Sequence, residues 1–278
     1  MRRLLRAGFY RVKSRKLIRI ELLTAMLIST FIILNGFFET NLANAYVYKL
    51  VARFFGYAPL MGPFIAVFTA FLWGTDYEYG TLRNKLICGH TREEVYFSNL
   101  LMTICAGGGI ALVWLAVNGI LGIPLLGDPS VKLSRGELVC YIMASLLMTA
   151  ALASVCCLLA SLAESRNSAV LVCLGAVAAM VVIGMLLYDR FAEPELLSGW
   201  TWMMEDPTVR WHPANARYVG GIYRILLELA ICLTPGGQGV ILCEEGVEHL
   251  AFLPLCSVFV IIISSLIGIH SFKKKNLK

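Results

Sequence analysis

Long apolar segments separated by short polar ones dominate the pattern of the chain. They cover residues 20–38, 57–74, 100–126, 138–162, 170–188 and 250–269. A helix of about 17–25 apolar residues crosses the ~30 Å hydrocarbon layer of a bilayer, and each segment meets that length. The pattern predicts an all-α membrane protein with six transmembrane helices, forming one transmembrane domain over residues 1–278.

Composition strengthens this interpretation and removes others. Hydrophobic residues make up 58% of the 278 residues, and charged residues make up 15%. The mean hydropathy is +0.74, which is far from the average of soluble domains. The net charge of +6 comes from basic clusters beside apolar segments, where membrane topology explains it. We therefore expect the lipid bilayer as a partner and no nucleic acid.

The first 19 residues are strongly basic. Eight Lys and Arg residues alternate there with apolar ones, a composition typical of an amphipathic helix on the inner leaflet. The alternative is a disordered basic tail that only fixes topology. The basic stretch is too long for the start of a cleavable signal peptide, so we expect the first span to be retained.

A seventh apolar segment, residues 222–242, is interrupted. It contains Arg224 and Glu228, one helical turn apart and expected to pair, and it is broken by Thr234-Pro235-Gly236-Gly237. If it crossed the membrane, the cluster Lys273-Lys274-Lys275 would lie outside, against the positive-inside rule. We therefore predict a re-entrant or interfacial hairpin within an outer loop, residues 189–249, and cytoplasmic termini in the plasma membrane.

Three tryptophans support the outer position of that loop. Trp200, Trp202 and Trp211 are residues that favour a membrane–water interface. An ordinary folded loop is the alternative.

The loop between the second and third spans, residues 76–98, carries the most specific pattern. Residues 81–88 suit a short helix closed by Gly89, and Thr91 with Glu94 forms a capping box that begins the next helix. A short helix with apolar and basic side chains is suited to dock in the groove of a soluble partner. Its apolar residues are Leu82, Leu86 and Ile87, and its basic residues are Arg83 and Lys85. A solvated connector is the alternative.

These features together resemble the membrane subunit of a type-two ABC exporter, nearest to exporters of antimicrobial or cytolytic peptides and drugs. The resemblance rests on the order of elements, on the stretch Glu78-x-Gly80-Thr81-Leu82-Arg83 and on Thr91-Arg92. The chain has Gly89-His90 where relatives often carry a proline.

The resemblance implies a permease that pairs with a second permease, expected to be a second copy, and with separate ATPase subunits that hold ATP and magnesium. Residues 81–88 would be the coupling helix, and the first, second and fifth spans would line the path. Cargo would be an amphipathic or hydrophobic peptide or drug moved out of the cell. The implied partner-binding residues are Gly80, Thr81, Leu82, Arg83, Lys85, Leu86, Ile87, Gly89, Thr91, Arg92 and Glu94.

Few residues are candidates for catalysis, metal binding or cargo contact. The sequence contains no G-x-x-x-x-G-K-[ST] loop, H-E-x-x-H or G-x-S-x-G motif, so we expect neither an enzyme nor a metal site in this chain. Asn35 and Asn118 are predicted either to hydrogen-bond between helices or to contact cargo. The other positions singled out are Pro235, Gly236 and Gly237 of the hairpin. A Cys232–Cys243 disulfide is left open.

Two rival functions remain. An ion-coupled secondary transporter should carry acidic or histidine side chains deep in its spans, and the apolar segments offer none in their interiors. A membrane scaffold or sensor would bind a cytoplasmic partner without ATPase activity.

Overall fold

The described residues are helical almost throughout. A computed structural model describes residues 2–14, 16–42, 50–126, 134–196, 214–243 and 250–275. Within these ranges the only β feature is an isolated bridge between Leu196 and Ala214. The all-α prediction is therefore confirmed. The helices are α1 (Arg2–Ser14), α2 (Lys16–Leu42), α3 (Leu50–Phe55), α4 (Met61–Glu78), α5 (Thr81–Ile87), α6 (Arg92–Val117), α7 (Ile123–Leu126), α8 (Arg135–Leu162), α9 (Arg166–Phe191), α10 (Ile222–Leu233), α11 (Pro235–Ile241) and α12 (Phe252–Lys274).

Five helical stretches are long and apolar enough to cross a membrane. A sixth is possible if α10 and α11, which meet at a 105° bend, count as one span. The chain is thus a multi-pass membrane protein by length and composition. The five stretches are Lys16–Phe38, Arg92–Leu126, Arg135–Leu162, Arg166–Phe191 and Phe252–Lys274.

The predicted second span corresponds to α4, which is not among those five. Its last turn carries Asp76 and Glu78, so composition alone does not mark it. It is nevertheless central, because it packs against α6, α8 and α9 and most of its residues are buried.

The centre of the bundle combines small residues with large aromatic ones. Alanine and serine side chains cover the buried face of α8, and small residues let helices approach closely in a membrane. Trp73 of α4 fills the space between helices, with its ring 5.8 Å from that of Tyr96 and 5.2 Å from that of Phe272. These contacts join α4, α6 and α12.

The bundle has two chemically different ends. At the α5 end, α1, α5, the α8–α9 turn and the end of α12 come together, as contacts of Arg11 with Asp76 and of Arg92 with Phe272 demonstrate. Helix α1, which covers most of the basic N-terminal stretch, lies at this end and packs along α6. At the opposite end lie α3 and the bent pair α10–α11, and we call this pair the hairpin.

The hairpin inserts between other helices at close range. A Cβ atom placed on Gly236 would lie 2.5 Å from the backbone of Met180, and one on Gly184 would lie 2.6 Å from Gly237 Cα. Met180 lies eleven residues before the end of α9, a distance of about 16 Å along a helix. Gln238 binds the Cys232 carbonyl through Nε2 (2.5 Å) and accepts from the Ser257 hydroxyl (2.6 Å).

A π-helical turn, Asn118–Gly122, ends α6. Asn118 is buried, and its Nδ2 donates to the carbonyl of Phe54 at 3.0 Å. Since Phe54 belongs to α3, this bond joins two helices, which agrees with one of the two predicted roles of Asn118.

Candidate functional site

The short helix α5 is held in place by its two flanking glycines. Gly80 precedes it with φ +60° and Gly89 follows it with φ +87°, both in the left-handed region that favours glycine. The N–H of Gly89 binds the Leu86 carbonyl (3.0 Å), and the N–H of His90 binds the Lys85 carbonyl (3.2 Å). This pair of bonds is a Schellman motif, so the predicted closing role of Gly89 is confirmed.

The next helix begins as predicted. The Thr91 side chain accepts from the N–H of Glu94, and the Glu94 carboxylate accepts from the N–H of Thr91. His90 Nδ1 lies 3.0 Å from the same carboxylate. The turn between α5 and α6 is therefore fixed by capping bonds on both sides.

The orientation of α5 corrects the predicted docking face. Leu82 is buried and Leu86 is partly buried against the chain's own core, and Lys85 points inward. Because these three residues pack against the chain itself, they do not form the outward surface of α5 that the sequence predicts for docking.

The outward surface of α5 has a different composition. Ile87 is 74% exposed, and Tyr79 just before the helix is 73% exposed. Arg83, Asn84 and Cys88 are also exposed. We call Tyr79, Arg83, Asn84, Ile87 and Cys88 the outer face of α5.

Asp76 anchors α5 to the rest of the bundle. This carboxylate is fully buried and binds the guanidinium of Arg11, with the second contact at 3.3 Å. Lys85 Nζ donates to it at 2.6 Å, the Thr81 hydroxyl at 2.7 Å and Asn99 Nδ2 at 3.5 Å. One side chain thereby joins α1, α4, α5 and α6.

The charges around Asp76 keep it ionised. Burial raises the pKa of this carboxyl, but the hydrogen bond from Arg11 and the charges of Lys85 and Arg11 outweigh burial, and the pKa lies below its ordinary value of 3.8. Burial lowers the pKa of Lys85 despite the attraction of Asp76. The geometry favours a charged pair, because both of its members donate or accept at close range.

A second set of cations closes the helix ends beside this anchor. Arg92 Nη1 donates to the carbonyls of Phe272 (2.9 Å), Lys273 (2.9 Å) and Lys275 (2.5 Å). Cations at a helix C-terminus satisfy carbonyls that lack an intrahelical partner. The structure thus uses the predicted partner-binding residue Arg92 within the chain, at the end of α12.

Lys275 does the same for α8. Its Nζ donates to the carbonyls of Ser161 (3.0 Å) and Ala163 (2.5 Å) and lies 4.2 Å from the centre of the Tyr77 ring. The Tyr77 hydroxyl donates to the Ser161 carbonyl at 2.6 Å. The ends of α4, α6, α8 and α12 are therefore fastened together.

The remaining predicted residues lie elsewhere. Asn35 is exposed on α2, and Asn118 lies in the π-helical turn that ends α6. Both are distant from α5 in the sequence. The hairpin residues Pro235, Gly236 and Gly237 are buried at the opposite end. No disulfide joins Cys232 and Cys243.

Arg224 of α10 has two aromatic neighbours. Its guanidinium lies over the rings of Phe191 (4.6 Å) and Tyr218 (5.5 Å). These rings offer a cation–π partner that helical spacing does not reveal. The pairing of Arg224 with Glu228 stays a prediction. Trp200, Trp202 and Trp211, which are predicted to lie at the membrane interface, are outside the described residues.

Sequence reasoning missed two carboxylates. Asp76 belongs to the predicted loop of residues 76–98, and its spacing to Thr81 and Lys85 is the sequence signal that could have indicated the anchor. Glu21 is 6% exposed in the candidate span Lys16–Phe38, and neither of its carboxylate oxygens has a hydrogen-bond partner within the described residues. An acidic residue buried there is what an ion-coupled transporter would require.

Comparison with known proteins adds no identification. The sequence matches no family model, and no curated protein matches it. Within the described ranges, no group of three His, Cys, Asp or Glu side chains is placed to hold a metal ion. The function must be inferred from the geometry of α5 and its anchor.

Proposed function

We propose that this chain is the membrane subunit of an ATP-driven exporter, with α5 as the helix that receives the motion of a separate ATPase. The observation that carries the proposal is that α5 has an exposed outer face and an inner face that is anchored to the bundle through Asp76. An exposed apolar and basic face suits a groove on a soluble partner, while Asp76 connects any displacement of α5 to three other helices.

Topology supports a cytoplasmic position for α5. The positive-inside rule assigns the basic end of the bundle to the cytoplasm, and α1, α5 and Lys273–Lys275 all belong to that end. When α4 is counted as one of six spans, the pair α10–α11 enters and leaves the membrane from the outer side as a re-entrant hairpin. Buried α11 satisfies its backbone within protein, the condition under which such a hairpin is tolerated.

Exposed apolar faces supply surface for a second permease. The candidate spans in α2 and α9 are the least buried of the five, at 22% and 17% of their windows. These are the first and fifth spans. A homodimer formed through them would leave α4, whose partly exposed face includes Phe64 and Phe71, next to the shared path.

Co-purification with candidate ABC ATPase subunits from the same organism tests the proposal. The variant Arg83→Ala/Ile87→Ala alters only the outer face. Lys274→Ala is the control, because Lys274 is exposed at the same end and lies outside α5 and its outer face. Loss of two interface anchors should weaken ATPase binding roughly 30-fold. The control should retain binding and hydrolysis rate.

Either rival would give a different result. A scaffold would capture a partner without ATPase activity. An ion-coupled transporter, which buried Glu21 favours, would move cargo in proteoliposomes with an ion gradient and no ATPase. If no ATPase binds the intact chain, the exporter proposal is abandoned.

We propose an amphipathic or hydrophobic peptide or drug as the cargo, on the basis of the resemblance and of the apolar spans. A panel of such compounds in proteoliposomes that contain both subunits should include at least one that accumulates only with ATP. Absence of ATP-dependent movement for every amphipathic peptide tested would count against a peptide cargo.

A further inference from the structure

A groove lies between α1, α2 and α6. It has a volume of about 390 Å³ and is lined by residues of these three helices. Ile18 and Leu22 are one turn apart on α2, and Met102, Cys105 and Gly109 occupy successive turns of α6. These two helical rows line an apolar slot with room for part of an acyl chain.

Glycine keeps the floor of this slot open. A Cβ atom on Gly109 would meet nothing within 4 Å, and the same holds for neighbouring Gly108. By contrast, a Cβ on Gly107 would lie 3.1 Å from Thr149 Cγ2 and 3.3 Å from Ile65 Cγ1. Gly107 thus serves helix packing, whereas Gly109 borders empty space in the groove.

The charged residues of the groove are both cations. Lys13 and Arg19 line it, and both are exposed. Within the described part of the chain neither forms an ion pair with a carboxylate, unlike Arg11, which binds Asp76. The groove therefore combines an apolar slot with two uncompensated positive charges.

We infer that this groove binds an anionic phospholipid of the leaflet at the α5 end. The acyl chain lies between α2 and α6, and the phosphate or anionic headgroup contacts Lys13 and Arg19. Charge complementarity selects this occupant, because a neutral lipid would leave both cations uncompensated. The lining residues Ile18 and Arg19 also lie near the start of the candidate span Lys16–Phe38, where headgroups meet the hydrocarbon layer.

Bound lipid would contact both α1 and α2. Phe9 and Val12 of α1 contribute to the same cavity wall as Leu22 of α2, so an acyl chain there contacts both helices. This inference depends on the membrane character of the chain and not on an ATPase partner. The two proposals can therefore fail independently.

Native mass spectrometry of the delipidated full chain in detergent tests the inference, with phosphatidylglycerol and phosphatidylcholine as the added lipids. Near a membrane surface each Lys or Arg contributes about 1 kcal/mol to anionic lipid binding, so Lys13→Gln/Arg19→Gln should weaken phosphatidylglycerol binding roughly 30-fold. Lys274→Gln removes an exposed charge at the same end and should change binding little. Phosphatidylcholine should bind weakly to all forms.

A matched pair of glycine variants tests the slot itself. Gly109→Leu fills the groove and should abolish preferential phosphatidylglycerol binding, whereas Gly108→Leu adds the same side chain outside it and should not. Leucine favours helix more than glycine, so both variants should fold. Equal binding of the two lipids, or equal effects of the two leucines, would overturn the inference.

Cys105 provides a second measurement. It is an exposed free thiol in the groove, and Cys88 is an exposed free thiol directly after α5. Phosphatidylglycerol should slow alkylation of Cys105 by N-ethylmaleimide relative to Cys88, and Lys13→Gln/Arg19→Gln should remove that protection. Protection that phosphatidylcholine supplies equally, or that survives the charge variant, contradicts the inference.

Discussion

The two ends of the bundle are held together by different chemistry. At the α5 end, Arg11, Lys85, Arg92 and Lys275 neutralise a buried carboxylate or bind the carbonyls of helix ends. At the hairpin end, glycines bring backbones into contact and Gln238 supplies neutral hydrogen bonds. Stability should therefore be sensitive to substitutions that change charge at the α5 end and to substitutions that change side-chain volume at the hairpin end.

This difference matches the role proposed for the α5 end. Charged side chains on long stems can exchange partners while a helix moves, whereas a backbone contact at a glycine is lost as soon as the helices separate. The end that is proposed to receive an ATPase is thus built from contacts that can rearrange. The hairpin end is built from contacts that fix shape.

The largest effect should come from Asp76→Ala. It leaves Arg11 and Lys85 together without a counter-ion, and removing one member of a buried pair costs about 3–5 kcal/mol. We expect a marked fall in thermal stability of the detergent-purified protein. Glu78→Ala is the control, because Glu78 is 40% exposed and its contact with Arg166 measures 3.6 Å, so it should cost about 1 kcal/mol or less. Equal losses would contradict the anchor.

Gly184→Val should be the next largest. Its Cβ would approach Gly237 Cα to 2.6 Å, and overpacking against backbone costs about 1–3 kcal/mol. Gly175→Val, on the same helix with nothing within 4 Å, is the control for helix propensity. Thermal unfolding of both variants should separate them, and similar melting temperatures would argue against hairpin packing at this position.

The pH dependence of the Asp76 anchor should be smaller and confined to acid. The pKa of this carboxyl is lowered in the folded state. Its stabilising contribution is therefore present above the ordinary value of 3.8 and is lost as the pH falls through the folded pKa. The stability difference between wild type and Asp76→Asn should stay constant from about pH 8 to about pH 5. Narrowing within that interval would contradict the charge network.

The smallest effect, of opposite sign, is expected for Glu21→Met. Burying a polar group without a hydrogen bond destabilises by about 1–3 kcal/mol, and methionine has a similar length. Thermal stability should rise modestly, whereas Glu164→Met at an exposed position should change it little. A fall in stability for Glu21→Met would mean that Glu21 has a partner in the membrane.

Much of the fold could be predicted because it depends on local sequence. Apolar length indicated the helices, and Thr91, Glu94 and Gly89 indicated the boundaries of α5 and α6, since capping bonds join residues a few positions apart. The second span differs from its predicted bounds of 57–74, because α4 begins at Met61, after the turn at residues 57–60.

The site was harder to predict because its contacts are remote in sequence. Arg11 and Asp76 are 65 positions apart, and Arg92 and Phe272 are 180 apart. The helical period places Leu82 and Leu86 on one face, but it does not say whether that face meets a partner or the chain itself. Only the packing of α5 on Asp76 decides between them.

The bonds of Arg92 and Lys275 also bear on the order of biosynthesis. Arg92 begins α6, yet its carbonyl acceptors lie at the end of α12, and Lys275 reaches back to Ser161 and Ala163. Earlier helices can insert and pair as they leave the ribosome, but these bonds must wait until α12 has emerged. The end of the bundle that carries the outer face of α5 is consequently fastened only late in translation, so truncated chains would offer the proposed ATPase a bundle end that lacks these bonds.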